Sequence, residues 1–282
     1  MKIALAQIDC VPGDIDKNIQ KFDKFALEAK SMGCDLIAFP EMSDTGYVTS
    51  LIPQYAQPWT GKSYIQAANA ACSNSIHLIC GISEKVDDII YNSVAHFDTN
   101  GELKAHYRKT HLFSPEPVCE NRCFKAGKEL CITEVCGVKL GISICFDLRF
   151  PEVYRYMTLK GAQVLLNCSA WPSVRNSHWN YLTCARAIEN QAFFIGVGRV
   201  GTDEELTFNG RSRIVSPLGE IIVEGSNDNE ELVTGKIDIE KVTEFRRAIP
   251  AVSSRRDDIY GNFNIITPQY LNNKKHNNKK LN

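Results

Sequence analysis

Residues 138–152 read Val-Lys-Leu-Gly-Ile-Ser-Ile-Cys-Phe-Asp-Leu-Arg-Phe-Pro-Glu. The run Val138–Ile144 has strand character, and Pro151 opens a short helical stretch to Lys160. Pro is favoured at the first helical position because its missing N–H costs nothing there. Cys145 therefore falls at a strand-to-helix turn. In α/β proteins ligands gather at that carboxyl edge of the strands. A thiol there is expected to feel the helix N-terminus, which lowers its pKa.

Outward from this unit, strands and helices keep alternating. Gln163–Asn167 is an apolar strand, His178–Asn190 is helical, and Ala192–Val197 is again a strand. Arg213–Ser216 and Glu220–Val223 form a hairpin around Pro217-Leu-Gly219. The first half runs in the same order: strand Lys2–Ile8, helix Asp14–Gly33, strand Asp35–Phe39, helix Gly61–Ser73 and strand His77–Ser83. A hairpin, Tyr91–Phe97 with Glu102–Arg108, follows around Asp98-Thr-Asn-Gly101. Leu232–Ile239 and Lys241–Ala248 supply a last strand and a last helix. Interleaved strands and helices predict a mixed α/β fold. The repeated order predicts two similar α/β halves packed as a sandwich. No Pro/Gly/Ser-rich linker divides them, so we expect one domain over residues 1–270.

Composition agrees. At 282 residues with 44% hydrophobic and 23% charged residues, the chain is an ordinary globular sequence. The 32 Lys/Arg and 33 acids leave a net charge of −1, which argues against a dedicated nucleic-acid binder. Residues 271–282, LNNKKHNNKKLN, hold four Lys and no acid; without them 28 bases face 33 acids. That basic tail reads as low-complexity, solvated and disordered. There is no signal-like leader and no run of 18 apolar residues, so a cytoplasmic protein with no membrane partner is expected. Eleven cysteines, an odd number, then read as reduced thiols, most of them small buried hydrophobes.

Several motif fragments fail. Thr60-Gly-Lys-Ser63 lacks the earlier glycine of a phosphate loop, because residue 56 is Ala56. Gly141-Ile-Ser143-Ile-Cys145 lacks the last glycine of a serine-nucleophile elbow. Asn167-Cys-Ser169 is a glycosylation sequon without a secretory context. The spacing of Cys119, Cys123, Cys131 and Cys136 is looser than zinc hooks, so no metal is expected.

Three segments place a reactive group where a strand ends. They are Phe39-Pro-Glu41-Met-Ser-Asp-Thr-Gly-Tyr47, Tyr107-Arg-Lys109-Thr-His-Leu-Phe113, and the Cys145 turn. Together they resemble the nitrilase, or carbon–nitrogen hydrolase, superfamily, which carries a Glu–Lys–Cys triad in this order. The resemblance covers nearly the whole chain to Arg255-Arg-Asp-Asp-Ile-Tyr260 and leaves out the tail. It implies a four-layer α-β-β-α sandwich, homo-oligomers (usually dimers), and no cofactor. It also implies Glu41 as base, Lys109 as oxyanion stabiliser, Cys145 as nucleophile and the Phe146 N–H as second oxyanion donor. Glu120, before Phe124-Lys-Ala-Gly127, matches the family's second glutamate; a salt bridge to Arg122 or Lys125 is its plainer reading.

True nitrilases commonly have Trp-Glu shortly after the nucleophile, whereas Phe146-Asp-Leu-Arg-Phe-Pro-Glu152 looks like the amidase branch. Ala170-Trp171-Pro-x-x-Arg175 looks most like bacterial omega-amidases. The substrate implied is a small carboxylate-bearing amide such as 2-oxoglutaramate, with Tyr47 and Trp171 lining the pocket and Arg175 pairing with the carboxylate. Deaminated glutathione or an N-carbamoyl amine are the alternative substrates. A catalytically silent binding protein on the same fold is the alternative of another class.

Overall fold

The strand and helix periods of the sequence become two six-stranded sheets, each with a helical layer on its outer face. A computed structural model describes residues 1–204 and 206–260. The basic tail, and the end of the domain expected to reach residue 270, lie outside the described residues. The first half contains β1 (Lys2–Gln7), α1 (Ile15–Ser31), β2 (Leu36–Ala38), a one-turn α2 (Ile52–Tyr55), α3 (Lys62–Ser73), β3 (His77–Val86), β4 (Ile89–Phe97) and β5 (Leu103–Arg108). The second contains β6 (Cys131–Val135), β7 (Val138–Ile144), α4 (Pro151–Leu159), β8 (Val164–Ser169), α5 (Asn176–Asn190) and β9 (Phe193–Gly198). A small β10–β11 hairpin (Thr202–Asp203, Leu206–Thr207), β12 (Arg213–Val215) and β13 (Ile221–Glu224) complete it. β14 (Glu231–Lys236), α6 (Glu240–Ala248) and α7 (Asp257–Tyr260) close the described chain.

The strand orders are β14-β1-β2-β3-β4-β5 and β6-β7-β8-β9-β12-β13. In each sheet the second to fourth strands are parallel, the two that follow are antiparallel, and the flanking first strand is antiparallel. The expected repeat of two α/β halves is therefore a repeat of topology. Strand β6 was not expected from sequence; it adds to the edge of the second sheet as β14 adds to the first.

Alternation along the strands sorts the core into layers. Ile3, Leu5 and Ala38 face Ile142, Ile144, Leu166 and Val197 between the sheets. Ala4, Ala6, Ile37 and Leu78 face outward, against Phe22 and Phe25 of α1 and Ala67 and Ala70 of α3. On the far side Tyr154 of α4 packs on Phe194 of β9, and Trp179 of α5 fills the space over Gly196. This is the four-layer α-β-β-α order. It brings the carboxyl ends of β2 and β7, one from each sheet, to one end of the sandwich.

Candidate active site

Glu41 leaves the first sheet three residues after β2. The loop can cross β3 because residue 81 is glycine: a Cβ there would sit 2.4 Å from the Pro40 carbonyl oxygen. Gly81 N donates to Pro40 O (3.1 Å) and Ser43 N to Gly81 O (2.8 Å), which fixes the crossing. Glu41 is fully buried. Its Oε1 accepts from Asn92 Nδ2 (2.6 Å) and Lys109 Nζ (2.9 Å), and its Oε2 accepts from Ala170 N (2.8 Å) at the end of β8.

Lys109 follows the last residue of β5, and its N–H donates to Asn92 O of β4 (2.8 Å). Its ammonium donates to Glu41 Oε1 and Glu120 Oε1, 2.9 Å each. An ammonium has three N–H groups, so one remains for a ligand. Burial alone would push the Lys109 pKa down, but the Glu120 and Glu41 charges outweigh it and the net shift is upward. Lys109 is thus a permanent cation. Glu120 also accepts from Tyr47 OH (2.8 Å), Asn92 Nδ2 (3.1 Å) and Phe113 N (2.7 Å). Its ion pair is with Lys109, and Arg122 pairs with Glu116 instead.

Cys145 opens a 3₁₀ turn, Cys145–Arg149, with φ +39°, a left-handed backbone that non-glycine residues adopt at a cost. Its thiol reaches Ala170 O (3.9 Å). Here the structure corrects the expectation of a lowered thiol pKa. Burial first, then the Glu41 carboxylate, hold the thiol well above its usual value against the opposing pull of Lys109. A five-residue 3₁₀ turn does not overcome a site with two carboxylates. The thiolate is disfavoured there, so attack on a carbonyl calls for a base. The Phe146 N–H lies in the first turn, where N–H groups have no intrahelical acceptor.

The pocket above Cys145 is lined mainly by Tyr47, Phe113, Phe146, Trp171, Arg149 and Arg175, with a free volume of about 30 Å³. Arg175 lies over the Phe113 ring (5.3 Å) and Arg149 over Trp171 (5.0 Å). Burial and the facing Arg175 charge both pull the Arg149 pKa down. Neither arginine has a carboxylate partner among the described residues.

Every site residue singled out in the sequence meets here: Glu41, Lys109, Glu120 and Cys145 at the base, Tyr47, Phe146, Trp171 and Arg175 around the pocket. Sequence reading missed Asn92, Arg149 and Asp147. Arg149 and Asp147 lie in the quoted Cys145 segment and could have been read from it; Asn92 gave no signal. The failed motifs also have structural explanations. Ser143 is buried and bonded to Tyr154 OH and Leu166 O, and Asn167 is fully buried in β8, out of reach of a glycan.

A buried carboxylate–ammonium–thiol cluster at the strand ends of a four-layer α/β sandwich defines a thiol-dependent hydrolase. The chain belongs to the carbon-nitrogen hydrolase family, which it matches over residues 2–247. It is 33% identical over 259 residues to the 2-oxoglutaramate amidase of Bacillus subtilis (strain 168), spanning 92% of this chain and 98% of that one. Saccharomyces cerevisiae Nit3, a member of branch 10 of the nitrilase superfamily, superposes with a TM-score of 0.83 at 28% identity over 91% of this chain and 96% of that one. A variant of the amidase from Nesterenkonia sp. AN1, with acrylamide added at its active-site cysteine, superposes with 0.83 at 25% identity over 93% and 98%.

Proposed function

We propose that the protein hydrolyses the terminal amide of a small carboxylate-bearing substrate of the 2-oxoglutaramate kind, with Cys145 as nucleophile. One observation carries this reading. A buried thiol faces a carboxylate and an ammonium with a spare N–H, in a narrow pocket whose rim holds two arginines without carboxylate partners among the described residues. The name of the Bacillus relative supports the same substrate class.

The chemistry follows from the proton positions. Glu41 takes the thiol proton as Sγ attacks the amide carbon. The oxyanion that forms is held by the third N–H of Lys109 and the N–H of Phe146; losing one such donor typically costs about 2.7–4 kcal/mol. Protonated Glu41 returns its proton to the nitrogen as the C–N bond breaks, and ammonia leaves a thioester. Glu41 then deprotonates a water that attacks the thioester carbon, giving the acid and restoring the thiol. Glu120 holds Lys109 in place throughout. Arg149 and Arg175 hold the far carboxylate, and Tyr47 and Trp171 set the width between.

The eleven cysteines are all free, which supports a reducing compartment such as the cytoplasm. Tyr156 and Leu159 on α4, with Tyr181 and Ile188 on α5, expose neighbouring apolar surface on one outer layer and support a homodimer through it. No helix among the described residues is long and apolar enough to cross a membrane.

The deciding measurement is ammonia release by the purified protein from 2-oxoglutaramate, deaminated glutathione, an N-carbamoyl amine and a nitrile. We expect the first to be turned over fastest and Cys145→Ala to release none. Faster turnover of deaminated glutathione would move the substrate assignment, and inactivity on all four with an alkylation-resistant Cys145 would sink the enzyme reading.

A further inference from the structure

One fully buried carboxylate touches both arms of the site without touching the pocket. Asp147 lies two residues after Cys145, and its two oxygens accept five hydrogen bonds. Oδ2 takes the N–H of Ile144 (2.9 Å), the residue just before Cys145, and Tyr107 OH (2.8 Å) at the end of β5. Oδ1 takes Thr110 Oγ1 (3.2 Å), His111 N (3.1 Å) and His111 Nδ1 (2.9 Å). Lys109 sits between Tyr107 and Thr110, so its neighbours on both sides are bound to the same carboxylate. Tyr107 OH tightens this further by accepting from Thr110 N (3.2 Å). The His111 ring stacks on Phe150 (3.8 Å, 16°), the residue that ends the nucleophile turn.

Cys145 belongs to the second half of the molecule and Lys109 to the first. Asp147 is bonded to both segments. The φ of +39° at Cys145 must also be held against its intrinsic cost. We infer that Asp147 is the positioning residue of this site: it holds the strained Cys145 turn and the Lys109 loop as one rigid unit and thereby sets the distance from sulfur to ammonium. The inference rests on the amidase reading above for its kinetic arm only. Misplacement of a reacting group by about 1 Å costs on the order of 100-fold in rate. Neither pocket arginine bonds to the Asp147 carboxylate, so the effect is expected chiefly on kcat rather than on KM.

The test is Asp147→Asn, which keeps the shape and removes the charge and one acceptor. We expect kcat for 2-oxoglutaramate to fall about 100-fold with KM within about twofold of wild type. Iodoacetamide alkylation of Cys145 gives a readout without substrate. That thiol faces Glu41, Glu120 and Lys109, and Lys109 alone of the three favours the thiolate. Loosening Lys109 should therefore move the alkylation pH profile upward. An unchanged kcat and profile would overturn the inference, as would a fall in kcat and melting temperature with a matching rise in KM. Should Asp147→Asn fail to fold, Tyr107→Phe and His111→Phe cut only the bonds on the Lys109 side. Each should lower kcat about tenfold at constant KM, and no change in either overturns the proposal. A wild type inactive on every amide, yet with the profile shift in Asp147→Asn, would sink the substrate reading and leave the positioning role standing.

Discussion

Lys109 and Arg199 are both buried cations held by two carboxylates, and both join the two halves. Lys109, from the first sheet, meets Glu41 and Glu120 beside the Cys145 thiol of the second. Arg199, at the end of β9, meets Asp203 and reaches across to Asp9 and Cys10 O after β1. Yet Arg199 engages all three of its nitrogens, Nε with Val200 O included, and its guanidinium lies 4.3 Å from the Phe208 ring centroid. The thiol beside it, Cys10, is 1% exposed and pushed up to about 12 chiefly by burial. A delocalised fork satisfied by fixed acceptors makes a clamp. A point-like ammonium with one N–H to spare makes a site. Asp203 also accepts from Tyr47 N (2.8 Å), so the clamp braces a wall of the pocket.

Swapping the two cations should break each cluster in its own way. Lys109→Arg keeps the charge but forces a planar fork between Glu41 and Glu120, and the N–H that faces the oxyanion is lost. We expect kcat to fall about 1,000-fold, roughly 4 kcal/mol, with the melting temperature nearly unchanged. Retention of a tenth of the wild-type kcat would show that an arginine can serve and would erase the contrast. The reverse swap, Arg199→Lys, has too few donors for the acceptors around it. Urea titration should show a loss of about 3 kcal/mol, with kcat per folded molecule within about threefold of wild type. A larger loss of kcat than of stability would make Arg199 part of the site.

How far these differences are readable in sequence depends on what a residue's neighbours in the chain reveal. Glu41 and Cys145 each follow an apolar run and Lys109 follows a hairpin strand, so their places at strand ends are legible. Their meeting was an expectation drawn from family resemblance. Asn92 lies in the middle of β4, where an amide on an alternating strand looks like any solvent-facing position; its bonds to Glu41 and Glu120 come from residues 51 and 28 positions away. The five-residue β6 follows the charged stretch Lys125–Glu129 and pairs with β7 at the edge of the second sheet. The local turn suggests a lowered Cys145 pKa, but the net direction is not legible in sequence, because burial and the two carboxylates come from distant segments.

A third seam between the halves sharpens the contrast through pH. His96 of β4 is buried; its Nδ1 meets Thr133 Oγ1 of β6 (2.7 Å) and its Nε2 meets His77 Nδ1 (3.1 Å). Burial first, then the facing His77, lower its pKa from 6.5 to about 4, while Asp98 opposes and Lys104 assists. The fold therefore holds a neutral ring that the unfolded chain protonates more readily. This contribution is complete above pH 6.5 and is lost as pH falls toward 4, about 3 kcal/mol in all. Wild type minus His96→Gln, compared by urea titration at pH 7 and pH 4.5, should isolate most of that loss. Parallel pH dependence in the two proteins would remove His96 from the account.

The smallest effect concerns a cation that no acid holds among the described residues. Arg175 lies on the pocket rim over Phe113, with its charge facing Arg149. Lys109 and Arg199 find their counter-charge in the fold, whereas the proposed counter-charge of Arg175 is the substrate carboxylate. Removing it should leave both buried clusters and the thiol untouched. A charge-assisted hydrogen bond contributes about 1.5–3 kcal/mol, and Arg149 remains to take part of the load. We therefore expect Arg175→Ala to raise KM for 2-oxoglutaramate about 10- to 30-fold with kcat within about threefold. The same variant should lose little toward an uncharged amide of equal length, because the missing contact is to the carboxylate alone. Equal losses on both substrates would mean that Arg175 shapes the pocket through its stacking on Phe113, and the carboxylate would then belong to Arg149.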